Sequence, residues 1–317
     1  DPFPPVQFLN SEKNNWTIIW QVPTQSKSKS SCIVEEDWVR SIFSKVNTTE
    51  ISDVYQEGNT YYGKFKYVCD KAIIIYSADR NRDVKKINEY LQKFDGKNYI
   101  LVHLSDERLK HKATYYSKAP LVLRQYYSKR SNQENVKTIP LGHVNGLGTH
   151  FNHLKLKPST ERKFNWSFAG EVSKNKPHRF NMIETFEKVE KGFTHKTTAF
   201  EDSIRNALTP KEYEELLRES IFIPSSRGNC NLDCFRVYEA AKFGAIPIIA
   251  GPSWEIKKTF NYCRPPFLFV SNWEEGVEKL NYYLNNPTEL EQLQSEVISW
   301  WQKTQEELQD KIASYCQ

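Results

Sequence analysis

No apolar run in this sequence is long enough to cross a bilayer. The longest, such as Ala72–Tyr76 and Ala245–Ala250, fall far short of the roughly 20 residues a membrane helix needs. No secretory leader is read at the start. Paired C-x-x-C spacing is missing as well. The six cysteines are Cys32, Cys69, Cys230, Cys234, Cys263 and Cys316, and even Cys230 and Cys234 have three residues between them. No second Cys or His pair follows at zinc spacing, so a structural zinc is not expected. An even cysteine count permits disulfides, but a chain of 317 residues does not need them to hold a core. Neither sign of charge dominates. Lys plus Arg number 44 against 39 Asp plus Glu, a formal +5, without the concentrated basic stripe of a nucleic-acid binder. The two best-known phosphate loops, G-x-x-x-x-G-K-[ST] and G-x-G-x-x-G, are both absent, and no internal repeat is found.

What is present is an alternation of short apolar strands and amphipathic helices. Eight Trp, 17 Tyr and 18 Phe supply a large core, and about 150 residues per domain gives a prior of two domains. In the first half, strands are read at Trp16–Val22, Ala72–Tyr76, Asn98–Leu104, Leu121–Tyr127 and Val136–Leu141. Helices are read at Glu35–Val46, Asp83–Phe94 and Asp106–Tyr116, with a Ser/Lys loop at Thr24–Ser31 and an irregular Pro-rich start. Composition turns polar at Pro158–Lys163, and a domain boundary is placed there. The second half restarts with strands at Phe164–Ala169, Ser220–Pro224, Ala245–Ala250 and Phe267–Val270. Its helices are read at His178–Val189, Lys211–Glu219, Leu232–Phe243, Asn272–Leu284 and Pro287–Tyr315. Thr209-Pro210 provides an N-cap and first-turn proline, and Gly244 a C-terminal stop. The division expected is 1–157, 158–286, and a terminal helix 287–317 packing back on the first domain. The class is α/β with parallel sheets, whose ligands bind beyond the carboxyl ends of the strands.

The densest group of polar candidates is Ser220–Gly251. A strand runs into a turn carrying Ser225, Ser226, Arg227, Gly228 and Asn229, and a helix follows from near Asn231. Hydroxyls, a guanidinium and free helix-start N–H groups together suit a phosphate or diphosphate. On the helix, Arg236 and Glu239 lie three apart on one face. Arg236 can grip a diphosphate in bidentate fashion, and Glu239 can accept from ribose hydroxyls, as an acidic residue does in dinucleotide folds. The plain alternative is a surface ion pair worth a few tenths of a kcal/mol.

The run F-I-P-S-S-R-G-N…D-C-F-R-V-Y-E-A-A-K-F-G-A-I-P-I-I resembles the donor-site motif of exostosin-like (GT47-type) glycosyltransferases. Phe168-Ala169-Gly170 followed by Arg179 resembles the same family's F-x-G…R element. The segments His103–Glu107, Val122–Ser128 and Ile139–Gly146 are similar to the ribitol xylosyltransferase-like branch. The turn carries one residue more before its glycine than the family pattern. The resemblance implies a GT-B architecture, two Rossmann-like domains facing across a cleft, with the second holding a UDP-sugar. It also implies an inverting transfer, with xylose as the favoured sugar, to a hydroxyl of a glycan or alditol acceptor. No cofactor is implied and no metal: a D-x-D triplet is absent, and Arg179, Arg227, Arg236 and a helix dipole can take the metal's place on the leaving group.

An inverting transfer needs one general base for the acceptor hydroxyl. Asp106 and Glu107 follow the strand Asn98–Leu104 and are the candidates, although Ser105-Asp106-Glu107 fits a helix cap equally well. His103, inside a strand, reads as a packed histidine, and His143 ranks below the two carboxylates. Arg124, inside an apolar strand, needs a partner, for which Glu107 is the expected one. Trp300 and Trp301 are expected to pack against the first domain. A non-catalytic glycan- or nucleotide-binding module on the same fold is the alternative function, and a nucleic-acid partner is not expected. The expected location is cytoplasmic, with the Golgi lumen as the alternative if an N-terminal anchor has been removed. No membrane contact is expected of this segment.

Overall fold

The computed structural model describes residues 5–10, 15–25, 33–79, 81–129, 132–151, 153–174, 176–198 and 206–317. The expected loop at Thr24–Ser31 lies, from residue 26 onward, outside the described residues, as does Cys32. The chain forms two compact units, Asp1–Pro140 with Leu308–Gln317, and Leu141–Glu307.

The first unit runs β1 (Gln7–Phe8), β2 (Trp16–Trp20), α1 (Glu36–Ile42), β3 (Thr48–Ser52), β4 (Val54–Glu57), β5 (Thr60–Gly63), β6 (Tyr67–Val68), β7 (Lys71–Ser77), α2 (Val84–Leu91), β8 (Asn98–Leu104), β9 (Leu121–Arg124) and β10 (Val136–Thr138). Six of these strands make one parallel sheet in the order β10-β9-β8-β7-β2-β3. A parallel sheet covered on both faces needs apolar residues at every position, not at alternate ones. WTIIW and AIIIY meet that demand, and all of their residues except Thr17 belong to the apolar core.

The second unit runs β11 (Phe164–Glu171), α3 (Pro177–Phe186), β12 (Gly192–Thr197), α4 (Pro210–Arg218), β13 (Ser220–Pro224), α5 (Phe235–Lys242), β14 (Ile246–Ala250), α6 (Ser253–Phe260), β15 (Leu268–Val270), α7 (Trp273–Asn285) and α8 (Pro287–Tyr315). Its sheet is also parallel, in the order β12-β11-β13-β14-β15. Thr209 caps α4 through Glu212 N and receives Glu212 in return, a full capping box, worth about 1 kcal/mol.

Both units share one winding. The chain leaves the first strand toward one edge and returns to build the other side. In the first unit the direction changes between β2 and β7, and in the second between β11 and β13. The carboxyl ends of such strand pairs are where doubly wound sheets hold ligands, because the connections part there and leave a crevice.

Several expectations are corrected. The boundary falls at Pro140/Leu141, not at Pro158–Lys163, because the polar stretch is docked. Ser159 is fully buried, and Arg162 donates to the carbonyls of Leu217, Ser220 and Phe243 at 3.2, 2.8 and 2.9 Å. Residues 141–157 join the second unit in the same way, with Gly148 N on Glu214 Oε2 at 2.8 Å and Arg218 on Phe151 O at 2.9 Å. The terminal helix belongs to the second unit through Glu307 and to the first only from Leu308. Trp300 and Trp301 accordingly pack in the second unit, 6.5 and 5.8 Å from the Tyr238 ring. The last residues join the first unit, with Lys45 paired to Asp310 at 2.5 Å.

The expected helix at Asp106–Tyr116 does not form. Ser105 and Asp106 take φ of 70° and 62°, which a right-handed helix cannot accommodate. Asp106 Oδ1 instead accepts from Lys110 N and His111 N at 2.8 and 3.0 Å, so a side chain takes the role a helical carbonyl would have. A short 3-10 turn at Thr114–Lys118 follows.

Candidate active site

The second unit's direction change gathers β11, β13 and the starts of α3 and α5. Arg179 sits in the first turn of α3, behind Pro177. Its guanidinium donates to Glu171 O at 2.8 Å. Arg236, in the first turn of α5, donates to Ala169 O at 3.2 Å and lies 4.7 Å from the centroid of the Phe168 ring, with Arg179 6.0 Å from the same ring. The expected surface pair with Glu239 is not what forms, since Arg236 and Glu239 make no ion pair among the described residues.

A buried guanidinium beside a half-buried one, neither with a carboxylate partner among the described residues, is costly unless an anion joins them. The cost shows at Arg179, where burial first and the neighbouring Arg236 second lower the pKa to about 10. Arg179 Nε, Arg236 Nε, Ser226 Oγ and His178 Nε2 are all buried and lack a hydrogen-bond partner among the described residues. They belong together: His178 bonds the Arg227 backbone, and Cys234, the residue before α5, reaches Ser226 O at 3.9 Å. Helix α5 starts with no side-chain cap, so its positive end adds to the same place.

Gly170 is what allows the close approach. Its φ is +151°, and a Cβ there would come within 2.8 Å of an Arg236 terminal nitrogen. Only glycine combines that backbone with that clearance.

Glu239 is buried. Its Oε1 accepts from Val144 N at 3.0 Å and its Oε2 from the Tyr213 hydroxyl at 2.9 Å. Burial pushes its carboxyl pKa up, and those two donors and Arg236 pull it back. Each carboxylate oxygen keeps lone-pair capacity for a further donor.

Other expected residues have different tasks. Ser225 is structural: its N–H donates to Ile248 O at 2.8 Å and its hydroxyl to Ile223 O at 3.3 Å. Arg227 is held in a bidentate pair with Glu255 at 2.8 and 2.9 Å and also reaches Cys230 O. It fastens the loop to α6. Gly228 N closes the turn on Asn231 O at 2.9 Å, and Asn229 is exposed. The helix begins at Phe235, four residues after Asn231 closes the turn, so the free N–H groups lie nearer Arg236 than Asn231.

In the first unit, Asp106 is buried and pairs with buried Arg124 at 3.2 Å. Arg124 therefore finds Asp106, where Glu107 was expected. Glu107 is half-buried on the following turn. His103 is the packed histidine expected: its Nε2 meets Ala78 O at 2.6 Å and its Nδ1 meets the Tyr116 hydroxyl, while burial holds its pKa well down. His143 is buried with Nδ1 3.0 Å from Val144 O. Sequence reasoning missed His178, Tyr213 and Val144, which complete the second unit's site. Among the described residues no cluster of three His, Cys, Asp or Glu has metal-binding geometry, and no helix is long and apolar enough to cross a membrane.

Two doubly wound Rossmann-like units in one chain make a GT-B fold, and the class of protein is a glycosyltransferase. Residues 149–317 match the RXYLT1 C-terminal domain, more than half of the chain, and the chain belongs to that family, the ribitol xylosyltransferase-like branch of the exostosin type. A comparison with curated protein sequences finds no match. Among solved structures, sucrose-phosphate synthase from Thermosynechococcus elongatus is similar with a TM-score of 0.55 at 10% identity, over 95% of this chain and 98% of that one. Anabaena HepE, solved with UDP and glucose, is similar with a TM-score of 0.54 at 10% identity, over 94% and 98%.

Proposed function

We propose that the protein transfers a sugar from a UDP-sugar to a hydroxyl of a glycan or alditol, with inversion and without a metal ion. The observation that carries this reading is the Arg179–Arg236 pair, gathered around Phe168 with buried Nε atoms that lack a partner among the described residues. A diphosphate supplies the two negative charges and the acceptor lone pairs that this pair lacks. In the transfer, the acceptor oxygen bonds to the anomeric carbon while the bond from that carbon to the diphosphate breaks. The electron pair leaves on UDP, so charge builds where the guanidiniums and the start of α5 already stand. Fixed cations of this kind do the work that a divalent ion does in other transferases. Glu239 would take the ribose hydroxyls, with Val144 and Tyr213 fixing its carboxylate.

Xylose is the favoured sugar because the family is ribitol xylosyltransferase-like. UDP as the carrier fits the fold, which HepE shares and in which that protein holds UDP and glucose. The test is calorimetric titration of EDTA-treated protein with UDP, UDP-xylose, UDP-glucose and UDP-galactose, followed by a transfer assay under the same conditions. Binding and turnover without a divalent ion, strongest with UDP-xylose, support the proposal. Binding that needs manganese, or that survives Arg236→Ala unchanged, overturns it.

A further inference from the structure

The second unit carries a cavity that the donor site does not use. Helix α6, the turn after it, the edge strand β15 and the start of α7 border about 490 Å3, and none of the donor-site residues described above is in its lining. The floor is apolar: Phe260, Pro265 and Val270 are buried, and Ile256 and Phe269 half-buried. The Phe260 and Phe269 rings pack 5.3 Å apart at 43°, and Phe267 backs them at 6.3 Å from each.

The wall at β15 is preformed. Gly251 N donates to Val270 O at 3.0 Å and ties the ends of β14 and β15 together. The Phe269 carbonyl, one residue earlier, points the other way along the pleat and accepts from Lys279 at 3.1 Å. A peptide strand added at this edge needs that acceptor for itself. The surface therefore suits a small ligand in the cavity rather than a strand laid along the edge.

Two cations, Lys257 and Arg264, stand exposed in the lining. Neither side chain has a hydrogen-bond or ion-pair partner among the described residues. The lining carboxylate, Glu275, is already engaged, with Ser271 N at 2.7 Å and Lys279 at 3.3 Å. Two cations against one carboxylate leave the lining one positive charge, which a monoanion balances. Arg264 is also held in strained backbone. Its N–H closes the turn after α6 on Phe260 O at 2.8 Å, and its φ is 42°, a region arginine rarely enters. Pro265 follows it directly, and the residue before a proline favours extended backbone. Glycine would take this place without strain, and strained residues with functional side chains gather at ligand clamps.

We propose that this cavity binds a small amphipathic carboxylate, its apolar body on Phe260 and Phe269 and its carboxylate at Arg264 and Lys257. The apolar floor supplies affinity in proportion to the hydrocarbon it covers. The guanidinium fork matches a carboxylate in bidentate fashion and sets the ligand's direction. An apolar cavity with a few convergent polar groups is the ordinary form of a small-molecule site. The site is independent of sugar transfer and of the Arg179–Arg236 pair.

The test is calorimetric titration of the full chain with hexanoate, octanoate, decanoate and 1-octanol. Affinity is expected to rise roughly threefold per added CH2, and octanol to bind roughly fivefold or more weakly than octanoate, since it lacks the charge. Arg264→Gly should weaken octanoate by about fivefold or more, while the thermal midpoint of the unliganded variant stays at or above that of the wild type, because glycine accepts φ of 42°. Lys257→Gln, at an exposed position, should weaken octanoate as well. Arg236→Ala should bind octanoate as the wild type does. Absence of octanoate binding, equal affinity for octanol, or undiminished octanoate affinity in Arg264→Gly and Lys257→Gln overturns the proposal. So does a lowered midpoint in Arg264→Gly, which assigns that side chain to the fold, and so does loss of octanoate in Arg236→Ala, which places the carboxylate on the donor-site arginines.

Discussion

Arg179 and Arg236 share one aromatic ring: their guanidinium carbons lie 6.0 and 4.7 Å from the centroid of Phe168, and neither makes an ion pair with a carboxylate among the described residues. Such a pair is stabilised by its ligand and strained without it. Arg236→Ala should weaken UDP binding by about 2–5 kcal/mol, roughly 30- to 3000-fold. Arg179→Met should do the same and raise the thermal midpoint of the unliganded protein, because a methionine removes a buried like-charge neighbour while filling its volume. Calorimetry and thermal denaturation with and without UDP check both. A variant with normal UDP affinity would remove the two arginines from the donor site.

Gly170 offers a test that changes no charge. Gly170→Ala places a methyl group 2.8 Å from an Arg236 terminal nitrogen and forces a side chain onto φ of +151°. The backbone strain is about 1–3 kcal/mol, and the clash turns Arg236 away from Phe168. UDP affinity should fall at least tenfold while the net charge of the site stays the same, read by the same titration.

Much of this site was legible, and the reason is local. Buried parallel strands such as WTIIW, AIIIY and SIFIP are continuous apolar runs, which mark themselves without neighbours. Thr209-Pro210 announces α4 for the same reason, as its cap lies within four residues. One edge strand of each sheet was not legible. TTEIS of β3 and GFTHKT of β12 are half-exposed and carry polar residues at most positions, so they look like loops. Those are the strands that establish the winding order, and without them the direction changes cannot be located. Asp106 was favoured because it follows a well-marked strand. Ser105 and Asp106 in left-handed backbone carry no local signal against a helix, because their φ is imposed by long-range pairing with Arg124 and Gln125.

Arg227 and Arg236 lie nine positions apart in one motif, yet their partners assign them different work. Arg227→Ala removes a bidentate pair with Glu255 that fastens the 225–231 loop to α6. The pair is partly exposed, so its loss should cost about 1 kcal/mol or less of stability. UDP affinity should drop less than tenfold, well below the effect of Arg236→Ala. Glu255→Gln should reproduce the Arg227→Ala phenotype, since both release the same loop. Equal effects of Arg227→Ala and Arg236→Ala on titration would instead place Arg227 on the diphosphate.

Asp106 separates a structural from a catalytic role. Asp106→Asn leaves buried Arg124 without its counter-ion, at a cost of about 3–5 kcal/mol. The thermal midpoint should fall by several degrees or more, at about 2–4 °C per kcal/mol. Adding Arg124→Met should recover much of the loss, because the buried charge goes with its partner. A catalytic base would behave otherwise, losing turnover in Asp106→Asn with the midpoint unmoved and gaining nothing from the second substitution.

Glu239 gives the pH dependence a sign. Burial raises its carboxyl pKa above 4.5, its value in an unfolded chain. Above pH 4.5 the unfolded chain has released this proton while the folded chain still holds part of it, so the folded state binds more protons. Stability therefore falls as pH rises through that window and levels off above the raised folded pKa. Glu239→Gln should remove this decline, since the amide does not titrate. Urea midpoints of wild type and variant, measured in steps from pH 4.5 to about 8, should diverge at the acid end in favour of the wild type and run parallel above the window. The same substitution replaces one carboxylate oxygen with an amide NH2, which cannot accept from a ribose hydroxyl or from Val144 N and Tyr213 at once. UDP affinity should fall at neutral pH by roughly 10-fold or more, while affinity for inorganic diphosphate stays within twofold of the wild type. That contrast assigns Glu239 to the nucleoside end of the ligand and Arg236 to its phosphates; equal losses for both ligands would place the carboxylate's role in holding the loop at Val144 instead.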